Sequence, residues 1–90
     1  MFDLPSREIV HEHEFDAQLS RLIVDQESAN EFIAGAEEML AKDPRGGMPA
    51  TKHGSVWYLV MAPVDGRRVS LFYTFDDHSV AFLSILPFDD

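Results

Sequence analysis

The chain reads as an α+β domain: two antiparallel helices packed on a four-stranded, mainly antiparallel sheet, in the order β-α-α-β-β-β. Three observations predict it. Between Gly54 and Leu86 lie three runs rich in β-branched and aromatic residues, separated by turn chemistry. Ahead of them are two stretches in which apolar residues recur at helical spacing. A three-stranded meander with one apolar face must bury that face against another element, so the helices must cover it.

Residues 1–5 are expected to be a loose end, and 87–90 likewise. Arg7–Glu14 (REIVHEHE) alternates, with Ile9, His11 and His13 on one face and Val10, Glu12 and Glu14 on the other. This is a polar strand, and an edge position suits it. Phe15 to Val24 then changes period, since Phe15, Leu19, Leu22 and Ile23 fall on one helical stripe. The second helix shows a capping-box pattern, Ser28 followed by Glu31. Its stripe is Phe32, Ile33, Ala36, Met39 and Leu40, with Glu31, Glu37 and Glu38 facing the other way. Lys42 suits the last turn, and Asp43-Pro44 and Gly46-Gly47 end the helix. Gly35 costs this helix roughly 0.8–1 kcal/mol relative to alanine, which a close approach to the first helix would explain.

Arg45–Lys52 (RGGMPATK) has the composition of a loop. The meander follows as Val56–Met61, Arg68–Phe75 and Val80–Leu86. Asp65-Gly66 turns the first pair of strands and Asp76-Asp77-His78-Ser79 the second. No repeat or linker divides the chain, so residues 1–90 are expected to form a single domain.

Composition narrows the function classes. No apolar run approaches the roughly 20 residues that span a bilayer, and the first residues lack the basic and apolar regions of a secretory signal. With no cysteine there is no disulfide framework and no thiolate metal site. A cytoplasmic protein without membrane attachment is the expectation. The net charge of −9 comes from sixteen acids against seven bases. Residues 1–44 hold a net −8 and residues 45–90 a net −1, so the acidity sits on the helical half. An acidic domain is a poor general nucleic-acid binder, although a local basic patch on the sheet is compatible with these numbers.

The serines show no nucleophile elbow or triad spacing, and there is no phosphate-binding loop or dinucleotide fingerprint. No cofactor is expected. His11-Glu12-His13-Glu14 would aim two histidines the same way from a strand, but two ligands are too few for a metal site. His78 sits in a turn and reads as solvated. Glu31, Glu37 and Glu38, with Asp25 and Glu27 nearby, read most simply as a solvated face; the sharper reading is a docking surface for a basic partner.

With the elements placed, the chain resembles a RelE/ParE-type toxin domain over roughly residues 7–86. The resemblance rests on the strand leading into Phe15-x-x-x-Leu19-x-x-Leu22, with a second helix closing on Leu40-Ala41-Lys42-Asp43-Pro44. It rests also on the Gly-rich loop running into Gly54-Ser55-Val56-Trp57-Tyr58-Leu59. Arg68-Val69-Ser70-Leu71-Phe72-Tyr73 is similar to the family's Arg-containing strand that ends in a tyrosine. Members of the family are toxins paired with antitoxins. Some cleave mRNA on the ribosome, and others act on DNA gyrase without nuclease chemistry. The resemblance therefore implies a protein partner of the antitoxin kind, with RNA or the ribosome as a possible target. An antitoxin segment would wrap the domain and cover the sheet. Self-association through the exposed edge of Arg7–Glu14 is a further partner reading.

Carried over residue by residue, Arg68 matches the family's strand arginine and Tyr73 a tyrosine on that strand. Lys52 and His53 lie where the family often places basic residues. After Ile85-Leu86 the chain continues Pro87-Phe88-Asp89-Asp90, where the family tends to a basic or aromatic-basic tail. Two carboxylates there would repel an RNA backbone. Metal-independent RNA cleavage needs a base for the 2′-hydroxyl, a cation for the developing charge and an acid for the leaving oxygen. His53 could be base or acid, Arg68 with Lys52 or Arg45 could hold the phosphate, and Tyr73 could stack or donate. The plainer reading makes Arg67-Arg68 the solvated end of a hairpin and Tyr73 a core residue. The alternative to a toxin is a non-catalytic acidic binding module on the same scaffold. An active toxin needs Arg68, Lys52 and His53 to converge on one patch.

Overall fold

The computed structural model describes residues 7–23, 25–64 and 67–88. The Asp65-Gly66 turn, residues 1–5 and the Asp89-Asp90 carboxylates lie outside the described residues. The elements are β1 (Glu8–His11), α1 (His13–Leu22), α2 (Gln26–Lys42), a 3-10 turn (Pro44–Gly46), β2 (Met48–Pro49), β3 (Trp57–Val64), β4 (Arg67–Phe75) and β5 (Ser79–Pro87). They form an α+β fold in which one mixed sheet has the order β1-β5-β4-β3-β2. β1 runs parallel to β5, and every other pairing is antiparallel.

The sheet has five strands, not four. The additional strand is Met48–Pro49, inside the stretch expected to be a loop, paired with Tyr58 and Trp57. A two-residue strand has no periodicity to read, so composition alone pointed to a loop. β1 is shorter than its alternating pattern. Its last rung is His11 against Phe82; Glu12 N–H then bonds the Phe82 carbonyl while its own carbonyl accepts from Phe15 N–H. The helix thus begins at His13, just ahead of its first stripe residue, Phe15, and His13 belongs to α1. The two histidines do not share a strand face.

The α2 cap is Asp25, whose carboxylate accepts from the Ser28 amide at 2.9 Å and the Ser28 hydroxyl at 2.7 Å. Ser28 is therefore a donor within the first turn rather than the cap. The charged acceptor, whose pKa is drawn below the ordinary carboxylate value by these Ser28 contacts, takes that role. The buried stripe of α2 is Ala29, Phe32, Ala36 and Leu40, while Met39 is exposed. Gly35 meets no neighbouring atom within 4 Å of an added Cβ, so helix contact does not explain it.

One face of the sheet receives both helices. Phe15, Ile23, Phe32, Ala36 and Leu40 pack with Val69, Leu71, Tyr73, Val80, Phe82 and Ile85 into a single core. β5 carries a bulge where the register with β4 shifts between Phe72 and Tyr73. Beyond the end of β1, the Ile85 amide finds its acceptor in the Gln18 side chain of α1, at 2.9 Å. Pro87 closes β5, and Phe88 N–H bonds the Arg68 carbonyl, so this part of the tail is tied to the sheet. No helix among the described residues is long and apolar enough to cross a membrane.

Candidate functional site

Tyr73 is fully buried on the core face of β4. Its hydroxyl donates to the Pro44 carbonyl at 2.5 Å and accepts from Gly47 N–H at 3.2 Å. Burial pushes its pKa above the ordinary phenol value; the Gly47 N–H opposes that shift and the Asp43 carboxylate adds to it. The phenol therefore fastens the segment leaving α2 to the sheet. Gly47 is required for the approach, since a Cβ there would stand 2.5 Å from both the Tyr58 carbonyl oxygen and the Tyr73 hydroxyl.

Lys52 and His53 are exposed in the turn that joins β2 to β3. The turn is shaped by Thr51, whose hydroxyl accepts from Ser55 N–H at 3.0 Å and Val56 N–H at 3.3 Å. Gly54 closes it at φ 68°, a left-handed conformation that favours glycine. The Trp57 indole N–H donates to the Gly54 carbonyl at 2.9 Å, tying the turn to the start of β3.

Arg68 is exposed at the other end of the sheet. Trp57 pairs with Tyr73, and Arg68 precedes Tyr73 by five residues on β4, a run of about 17 Å. Alternation with the buried Val69, Leu71 and Tyr73 sets Arg68 on the face away from the helices. Its guanidinium lies 5.0 Å from the Phe88 ring centroid. Lys52 and His53 are thus neighbours in one exposed turn, Arg68 lies at the far end of β4, and Tyr73 is buried on the opposite face of that strand.

The helix-free face of the sheet is mixed: it carries Arg68, Ser70, Thr74 and Ser84 together with a set of apolar residues. Paired residues share a face, which groups Val10 with Ala81 and Thr74, Met48 with Tyr58 and Phe72, and Val60 with Ser70 and Leu86. Among the described residues, four of the five exposed large hydrophobic residues are here: Val10 at 42% exposure, Met48 at 60%, Val60 at 36% and Leu86 at 45%. Tyr58 and Phe72 pack ring to ring between them, with centroids 5.8 Å apart.

Two arrangements have no signature in the sequence. Arg7, just before β1, and Arg45, in the 3-10 turn, both approach Phe75, with guanidinium carbons 5.8 and 5.9 Å from its ring centroid. Trp57 meets the same ring edge-on at 5.6 Å. His11 stacks on Phe82 at 5.3 Å and places its two ring nitrogens near Asp16 of α1, at 3.1 Å, and Glu37 of α2, at 2.9 Å. The carboxylates flank opposite sides of the imidazole, an ion-pairing geometry rather than a shared cage. Among the described residues no group of three His, Cys, Asp or Glu side chains is placed to hold a metal ion. Compared with protein-family models, with characterised proteins and with solved structures, the chain matches none of them.

Proposed function

We propose that this chain is a cytoplasmic, toxin-like component of a bacterial toxin–antitoxin module, on a RelE/ParE-like scaffold, that acts by binding rather than by cutting RNA. The observation that carries the reading is the helix-free sheet face, where Val10, Met48, Val60 and Leu86 are exposed around the Tyr58–Phe72 pair. Exposed apolar side chains on one face of so acidic a domain favour a protein partner over a phosphate backbone. A partner segment folding onto this face would bury it. The separation of Arg68 from Lys52 and His53 weighs against cleavage, because base, cation and acid must surround one phosphate. The buried Tyr73 hydroxyl, already bonded to Pro44 and Gly47, is poorly placed to supply the missing group.

A second reading is a non-catalytic acidic binding module, supported by the exposed Glu14, Asp16, Glu27, Glu31 and Glu38 on the helices. Controlled expression in a bacterial host separates the readings. Wild type should arrest growth with intact transcripts, and Lys52→Ala/Arg68→Ala should arrest it equally. Val60→Asp/Leu86→Asp, folded by circular dichroism, should relieve it. Cleaved transcripts that the alanine pair abolishes would replace binding with nuclease activity. Healthy growth with folded wild-type protein would favour the acidic module.

A further inference from the structure

Two arginines, Arg7 and Arg45, meet at the ring of Phe75. Seven basic residues face sixteen acids, yet among the described residues neither Arg7 nor Arg45 forms an ion pair with a carboxylate. The neighbouring acids are engaged elsewhere. Asp43 accepts from the Arg45 backbone amide and caps the 3-10 turn. Asp76 is folded into its own turn, where one carboxylate oxygen accepts from the amides of His78 and Ser79, both at 2.8 Å. Those amides hold its pKa below the ordinary carboxylate value.

The arginines are also held in place. Arg7 donates from Nε to the Asp76 carbonyl at 2.6 Å, and its backbone amide bonds the Ala41 carbonyl at the end of α2. Arg45 rides on the 3-10 turn, which the Tyr73 hydroxyl pins through Pro44. Three separate segments thus bring two like charges to one aromatic ring. The ring stabilises each cation modestly and does nothing to relieve their mutual repulsion. An oxyanion would relieve it, because each guanidinium offers several N–H donors and a phosphate group can accept from both.

We propose that Arg7 and Arg45, held at the ring of Phe75, form a binding site for a phosphoryl oxyanion. The site is independent of the helix-free sheet face and of any nuclease chemistry. Its ligand is either free phosphate or the phosphate of a small ester. Trp57, edge-on to Phe75, would add ring contact to a ligand that carries an aromatic group.

Trp57 is the sole tryptophan of the chain, so its fluorescence reports on the site. Titrating the full chain with inorganic phosphate, against sodium chloride at matched ionic strength, should give a saturable change and a rise in melting temperature specific to phosphate. Arg45→Ala, at an exposed position, should weaken both responses at least tenfold, and Arg7→Gln should do the same. Arg21→Ala, on α1, should leave them unchanged. Tighter binding of a nucleoside 5′-monophosphate than of phosphate identifies an aromatic ester as the better ligand; equal binding identifies the phosphate group alone. Responses that sodium chloride reproduces, or that persist in both Arg45→Ala and Arg7→Gln, would overturn the site. Absence of both a fluorescence change and a melting shift at tens of millimolar phosphate, an order-of-magnitude ceiling for useful affinity, would also overturn it.

Discussion

The hydroxyl of Tyr73 donates to the carbonyl of Pro44, 29 residues earlier in the chain, at a distance of 2.5 Å. This bond joins the helical layer to the centre of the sheet. Tyr73→Phe keeps the ring and leaves the Pro44 carbonyl and Gly47 amide without that partner, so it should cost about 1–3 kcal/mol. Tyr73→Ala also opens a cavity and should cost about 3–5 kcal/mol. Urea denaturation measures both. A phenylalanine variant as stable as wild type would show that the two backbone groups find solvent instead.

The same burial makes alkaline stability depend on Tyr73. Its folded-state pKa lies above the unfolded value, chiefly through desolvation. Its contribution is fully present below the unfolded pKa and is lost as pH rises through the folded one. Wild type should therefore lose stability in the alkaline range where phenols ionise, and Tyr73→Phe should lose less over the same interval. Every other ionisable group is common to the two proteins, so the difference between the two curves isolates Tyr73. Parallel curves would exclude it as the source.

Two glycines should respond in opposite directions to alanine. At Gly47 the added Cβ would collide with the Tyr58 carbonyl and the Tyr73 hydroxyl, and overpacking of this kind costs about 1–3 kcal/mol. At Gly35 it would meet nothing within 4 Å, so the helix should gain about 0.8–1 kcal/mol. Thermal melts of the two variants decide the matter. Similar shifts would mean that the loop at Gly47 moves aside.

His11 should couple energetically to both helices. A neutral imidazole has one N–H to offer, whereas the imidazolium can donate to Asp16 and Glu37 together. Double-mutant cycles pairing His11→Phe with Asp16→Asn or Glu37→Gln should each return about 0.2–1 kcal/mol, the range for partly exposed pairs. No measurable coupling in either cycle would reduce both contacts to solvated neighbours.

Arg68→Ala should be nearly silent in stability. The guanidinium is exposed and lies over the Phe88 ring, a contact worth about 0.5–1 kcal/mol at such sites. A loss as large as that of Tyr73→Ala would mean that the strand faces the other way.

Local chemistry determined much of this protein. The alternation of Val69, Leu71 and Tyr73, the helical stripe from Phe32 to Leu40 and the Asp76–Ser79 turn are all written in neighbouring residues. Each rests on a period or a short-range hydrogen bond, and together they specify the α+β fold. The cap of the second helix was misplaced at Ser28, because Ser28 followed by Glu31 matches a capping box as well as Asp25 followed by Ser28 matches a cap and its donor.

Tertiary structure decided which distant residues meet. Met48–Pro49 is a strand only because β3 is there to pair with it. Arg68 lies far from Lys52 and His53 because β4 must run its length before its end comes level with the β2–β3 turn. Arg7 and Arg45 converge on Phe75 through three separate segments, an arrangement that no spacing along the chain encodes. Periodicity reports which way a side chain faces, whereas strand register and packing determine what stands opposite it.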